Sequence, residues 1–320
     1  MPALLRRLLP LIVATAALLM LFGWRVPNFL AAGNLVDLAQ QISVNAILAY
    51  GMTLVILIGG IDLSVGALLA LAGTTTAFCM VRTANADGTI TGLGWPLAAA
   101  VSAGLGVGLA FGLFHGVVRA WRGLPAFIIT LSTMLIARGL ALRFNESKPL
   151  AIPDSQVLFL KLGNGRVAEW LPIPVIVMLS LYGIMAALLH FTVFGRHLYA
   201  IGDSRLAALY SGIRVGRCEV VVYALAGVLT AIAGLIHTSQ LYSAEPASGQ
   251  GFELNAIAAA VVGGSSLSGG RGTMTGTLLG AIIIGILDKG LNQAGVHFSL
   301  QYVIKGAVIL SAVLLDKRKQ

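Results

Sequence analysis

Asp62 is a carboxylate held between two apolar runs, residues 46–58 and 67–81. An ionised acid at that depth in a bilayer is costly, so it is read first as a functional group. It sits in Gly59-Gly60-Ile61-Asp62-Leu63-Ser64-Val65-Gly66. Paired glycines loosen a helix, and the backbone groups they free must find partners in protein or in a water-filled cavity. Three chemistries fit. Asp62 and Ser64 can cap the helix that follows, as Asp and Ser do at N-termini. They can contact a passing solute. Asp62 can also be half of a buried ion pair.

The pattern returns as Gly263-Gly264-Ser265-Ser266-Leu267-Ser268-Gly269-Gly270, which shares Gly-Gly-x-x-Leu-Ser-x-Gly with the first copy. Interrupted apolar segments in both halves of a chain point to a transport path. The second copy lacks the carboxylate, so the halves are unequal. Arg138, His237 and Lys305 also fall inside apolar segments. Each can line a path, and the two cations can equally snorkel or pair with a carboxylate such as Asp62 or Glu253.

These residues need elements to hold them. The chain has 320 residues, 58% of them hydrophobic and only 10% charged, with a mean hydropathy of +0.91. That composition belongs to an all-α polytopic membrane protein and excludes a soluble domain. Ten spans of near-sufficient length are expected, at about 8–26, 42–59, 63–81, 95–118, 125–143, 171–192, 219–241, 253–270, 273–291 and 299–315. The eighth is short and Gly-rich, and re-entry is an alternative to crossing. Arg6-Arg7 ahead of apolar residues 8–22, with no small-x-small cleavage site, reads as an uncleaved first span. With both termini cytoplasmic, inside segments carry 12 Lys and Arg and outside segments 6, as the positive-inside rule requires. The net charge of +9 is thereby explained by loops, and nucleic-acid binding is rejected.

Gly104, Gly108, Gly112 and Gly116 form a stripe on the fourth span, and Gly272, Gly276 and Gly280 on the ninth. Such stripes let another helix approach closely. The outer loop 145–170 carries Pro149, Pro153, Gly163 and Gly165, which are expected to break any regular element; it is a candidate docking surface. In the cytoplasmic stretch 195–217, Asp203 or Ser204 can cap a short helix that Gly212 ends. Leu206, Leu209, Tyr210 and Ile213 recur at helical spacing. A helix so short lies on the membrane or fits a partner's groove. Cys79 and Cys218 lie far apart with no C-x-x-C and no clustered His, which argues against a disulfide framework or a metal site. The sequence has no G-x-x-x-x-G-K-[ST], H-E-x-x-H or G-x-S-x-G, so no ATPase of that kind and no enzyme is expected.

Four stretches, taken in order, resemble the permease subunit of bacterial ABC importers for monosaccharides, the ribose-type group. They are Gly51-Met52-Thr53 leading to residues 59–66; Pro125-Ala126-Phe127-Ile128-Ile129-Thr130-Leu131 with Arg138-Gly139; residues 195–213; and Glu253-Leu254-Asn255-Ala256-Ile257-Ala258 through 263–272. The resemblance implies one transmembrane permease domain over 1–320, including a cytoplasmic coupling loop at 193–217, in a bacterial inner membrane. It implies a second permease copy, identical or related, two cytoplasmic ATP-binding subunits and a periplasmic sugar-binding protein. The chain itself then binds no cofactor, and ATP is hydrolysed by the partner subunits. Gly202, Ser204, Leu206, Ala207, Ala208, Leu209, Gly212 and Ile213 match the coupling helix that sits in a groove of the ATPase. Here Gly202-Asp203-Ser204 stands where the family usually has Gly-Gly-Asn before the Ala-Ala pair; Ser204 can cap as Asn would, and Asp203 adds a negative charge.

A neutral sugar needs hydroxyl and amide partners rather than a fixed charge. Candidates near the interrupted segments are Asn45, Thr53, Ser64, Thr74 and Asn255, with Gly59, Gly60, Asp62, Gly263 and Gly264 forming the interruptions. Two rival readings remain. One is an ABC permease for another small polar solute. The other is a proton-coupled secondary transporter using Asp62, which would have no need of the cytoplasmic helix.

Overall fold

The computed structural model describes residues 2–84, 90–168 and 170–316. The basic end at 317–319, part of the charge argument, lies outside the described residues, as do the side chains of Arg6 and Arg7. The described chain is helical: α1 (Pro2–Arg25), α2 (Ala32–Leu57), α3 (Val65–Met80), α4 (Leu97–Arg122), α5 (Ala126–Arg143), α6 (Val157–Asn164), α7 (Ile173–Phe191), α8 (Val193–Asp203), α9 (Arg205–Tyr210), α10 (Val215–Gln240), α11 (Phe252–Val262), α12 (Met274–Gln293) and α13 (Phe298–Asp316). Short antiparallel ladders pair Thr83–Ala84 with Ile90–Thr91, Leu150–Ala151 with Ser243–Ala244, and Arg166–Val167 with Leu171–Pro172.

Among the described residues, seven helices are long and apolar enough to cross a bilayer: α1, α2, α4, α5, α7, α10 and α12. Three shorter apolar helices lie at Val65–Met80, Phe252–Val262 and Phe298–Ser311. Each expected segment holds one of these, but the boundaries move. The second begins at Ala32, ten residues before the expected 42. The eighth is the 11-residue α11, about 16 Å at 1.5 Å per residue, roughly half of a ~30 Å hydrocarbon core. The rest of 253–270 is irregular.

α2 is the central helix. Every residue from 46 to 57 is buried, and α7, α10, α11 and α12 pack around it. A helix apolar on all sides belongs inside a bundle. The glycine stripes do the packing expected of them. A Cβ at Gly108 would fall on the Gly227 carbonyl of α10, and one at Gly112 on the Tyr223 carbonyl. Gly104 instead faces α3, at Ala72 and Thr76. Gly280 admits the backbone of α11 at Ala259, and Gly276 that of Gly263 just after it. Gly272 is not part of that stripe, because it precedes α12 in the irregular segment.

The loop 145–170 is more ordered than its Pro and Gly content suggests. It contains the eight-residue α6, with Gly163 inside it. Gly163 fits because its bare Cα faces α10, where its N–H donates to Ser239 Oγ at 2.8 Å.

Candidate functional site

Both Gly-Gly segments are true helix breaks, and they meet. Residues 58–64 separate α2 from α3, and residues 263–273 separate α11 from α12. Gly59 (φ +70°) and Gly264 (φ +91°) occupy the left-handed region, where glycine pays no Cβ penalty. Gly270 N–H donates to Leu57 O at 2.9 Å, joining the breaks. Gly202 of α8 lies against both, and a Cβ there would fall on the Leu57 carbonyl and the Gly270 amide. Tyr199 of α8 donates to Gly272 O at 2.8 Å. Burial pushes the Tyr199 hydroxyl above its ordinary pKa, so it stays a donor.

The freed backbone of the first break is satisfied by protein, as a lipid setting demands. Arg119 Nη2 donates to Ile58 O at 2.9 Å. Thr130 Oγ1 accepts from Leu63 N–H at 3.2 Å and lies 3.2 Å from Ile61 O. Asp62, 3% exposed, accepts at Oδ1 from Ser64 N–H at 2.8 Å and from Ser64 Oγ at 2.6 Å. The carboxylate therefore holds the turn just ahead of α3. Neither Asp62 nor Ser64 caps the first turn of α3 itself, since the N-cap Ser64 makes no side-chain bond to it. Its ionic neighbour is His115 of α4, with Nδ1 at 3.8 Å from Oδ2. It is neither Lys305 nor Arg138.

A cavity of about 550 Å³ opens at the opposite end of the bundle. Asn45, Asn255, His237 and Lys305 line it, as do Gln40, Gln41, Asn164, Gln240, Gln250 and Asp288. The N-terminal half of α2, the ends of α6, α10 and α12, the loop before α11, and α11 and α13 supply these side chains. Lys305 Nζ pairs with Asp288 Oδ1 at 2.8 Å, and Asn255 Nδ2 donates to Asp288 Oδ2 at 3.3 Å. The lysine thus has a carboxylate partner, but a different one from those expected. Arg138 is spent on the carbonyls of Pro246 at 2.6 Å and Ser248 at 2.8 Å. Asn45 Oδ1 is buried and has no hydrogen-bond partner among the described residues. Asn and Gln each offer an acceptor and two donors, a suitable lining for a polyhydroxylated, uncharged solute.

Not every expected residue is here. Thr53 is fully buried, with Oγ1 at 2.8 Å from Ala49 O and 2.6 Å from Thr277 Oγ1. Thr74 donates to Ala70 O at 2.9 Å. Neither lines the cavity. Ser64 faces Asp62 at the far break. The structure thus separates Asn45 and Asn255 from the Gly-Gly residues rather than gathering them into one site. The glutamines, Asn164 and Asp288 were missed. Their signal was polar residues clustered where apolar segments end.

In the loop 193–217, Ser204 caps α9 by accepting from Ala207 N–H at 3.3 Å, and Gly212 (φ +80°) follows its last turn. Ala208 is buried and Ile213 packs against the core. Leu206, Leu209 and Tyr210 are 64%, 52% and 87% exposed, an apolar face with nothing on it. Ile213 therefore does not share that face.

Residues 34–313 match the family described as "Branched-chain amino acid transport system / permease component". The chain is 45% identical over 293 residues to Ribose import permease protein RbsC of Bacillus subtilis, covering 92% of this chain and 87% of that one. It is 42% identical over 311 residues to the Escherichia coli K12 protein of the same name, covering 97% and 93%. The D-allose transport system permease protein AlsC of Escherichia coli K12 is 38% identical over 307 residues, covering 94% and 89%. No solved structure matches the chain significantly. Apolar spans, two breaks and a match across nearly the whole length agree: this chain belongs to that family of permease components, and it is a multi-pass membrane permease rather than an enzyme.

Proposed function

We propose that the chain is the transmembrane subunit of an ATP-binding-cassette importer that moves a monosaccharide across the bacterial inner membrane. The observation that carries this is identity of 42–45% to ribose import permeases over more than nine-tenths of the chain. The cavity supports it. Its volume falls within the roughly 300–1,000 Å³ of small-molecule sites, and its amides suit sugar hydroxyls. Ribose, allose and a related pentose or hexose are the substrates to try first. The ten apolar helices cross or partly cross the membrane, with both termini cytoplasmic. The cavity then faces the periplasm, where a sugar-binding protein delivers the solute. Two ATP-binding subunits dock on the exposed face of α9, one on each copy of a permease dimer. They hydrolyse the ATP, and this chain binds no cofactor.

Alternating access follows from that arrangement. α8 touches both breaks through Gly202, so a push on α8 and α9 reaches the end of α2 and Gly270 of the second break. In reconstituted transporter, Asn255→Leu should cut ATP-dependent ribose uptake at least about tenfold, since one buried polar partner is worth about 1.5 kcal/mol or more. ATP hydrolysis should persist. Undiminished uptake would remove the cavity from the path.

Orientation has its own test. Leu158 is 71% exposed and Tyr210 87% exposed, at opposite ends of the bundle. A cysteine at Leu158 should react with an impermeant thiol reagent added outside cells, and one at Tyr210 should react only after lysis. The buried Cys79 and Cys218 should stay silent. The reverse labelling would invert every partner assignment.

A further inference from the structure

Glu219, near the start of α10, is completely buried. Its Oε1 accepts from Arg119 Nε at 3.3 Å and from Arg205 Nε at 3.1 Å, and its Oε2 accepts from Arg205 Nη2 at 3.4 Å. Arg205 is the first residue of α9, the helix with the unpartnered apolar face. Arg119 lies in the last turn of α4. Besides Glu219 it holds Tyr223 Oη at 2.9 Å and the Ile58 carbonyl at 2.9 Å. One carboxylate thus joins α9 to the first helix break through two guanidinium groups. We propose that Glu219 is the joint through which displacement of α9 reaches the break at 58–64, which makes it a positioning residue for transport.

Three further observations support this. Gly60 is bare where Arg119 sits, and a Cβ there would fall on Arg119 Nη1 and Tyr223 Oη. The break is therefore shaped around this arginine. A cavity of about 420 Å³ adjoins the cluster, lined by Gly60, Arg119, Gly123, Phe127, Arg205 and Glu219. It opens to the surface and leaves both guanidinium groups room to shift. The two arms are also unequal. The Arg119 side chain is 12% exposed and the Arg205 side chain 49% exposed. Glu219 is fully buried, so both arms neutralise a charge held out of water, and water reaches the place of the half-exposed outer arm more readily than that of the inner one. The outer arm reaches in from the surface and ties α9 to Glu219 by two of the three hydrogen bonds the carboxylate accepts.

The inference rests on α9 being where the ATPase docks. A chain of contacts becomes a coupling route only when perturbing it changes coupling. The test uses the assembled transporter in proteoliposomes, with ATP hydrolysis and uptake of labelled ribose, or of allose if that is what the wild type carries, measured together. Arg205→Met should leave the ATPase subunits bound and hydrolysis within about twofold, while sugar moved per ATP falls about tenfold. Arg205→Lys, which keeps a charge in reach of Glu219, should recover most of that ratio. Glu219→Gln should lower it as Arg205→Met does if it assembles, and Arg205→Met decides alone if it does not. An unchanged ratio in Arg205→Met overturns the proposal. So does loss of the ATPase from that variant, because Arg205 would then serve docking. Failure of the wild-type chain to retain any ATPase would instead strike the docking reading beneath it.

Discussion

Leu209→Asp is expected to abolish ATP-dependent uptake while leaving the permease inserted and folded. Leu209 is half-exposed on α9, beside exposed Leu206 and Tyr210. In the permease alone, a charge there meets water and costs little. In a partner's groove it would be buried without a counter-charge, which is severely unfavourable. Loss of a central apolar anchor costs about 2–4 kcal/mol of binding, roughly 30- to 1,000-fold in affinity. The ATPase should therefore fail to co-purify. Ile213→Asp is a poorer test, since Ile213 packs on the permease's own core and its loss confounds docking with folding. The double variant Leu206→Asp, Tyr210→Asp should reproduce Leu209→Asp. Normal uptake and a bound ATPase in all of them would end the coupling role of α9.

Asp62 separates the ATP-driven importer from a proton-coupled transporter. Asn at this position keeps an acceptor for Ser64 N–H and Ser64 Oγ, now at 2.8 and 2.6 Å from the carboxylate. Leu has none, and strands both groups in a site where Ser64 is fully buried. Each unpaired group costs about 1–3 kcal/mol, and no water replaces the lost partner in lipid. Asp62→Asn should thus retain much of the uptake, and Asp62→Leu should lose it through collapse of the break. A proton carrier has to gain and lose its proton, which Asn cannot do. Uptake into vesicles with ATP supplied and an uncoupler present is the deciding measurement. A wild type silenced by the uncoupler, together with a dead Asn variant, would hand Asp62 and neighbouring His115 a proton-carrying role and overturn the ATP-driven assignment.

The sequence by itself determined the solvent and the class of fold. A chain 58% hydrophobic, with apolar runs near bilayer length, has no choice but helices, because lipid cannot satisfy an exposed backbone. It also located both breaks, because paired glycines and a lone carboxylate are local signals. The Gly108, Gly112 and Gly116 stripe marked a close helix contact for the same reason, since spacing of four is a property of one helix. Tertiary structure decided everything that needed two segments at once. Lys305 meets Asp288, Glu219 meets Arg119 and Arg205, and Asp62 meets His115. Charge signs alone allowed many other pairings. Asn45 lines the cavity while Thr53 is locked to Thr277, though both lie on α2. A helix buried on nearly all sides has no polar face to read, so only its neighbours tell which of its residues meets a solute and which meets another helix.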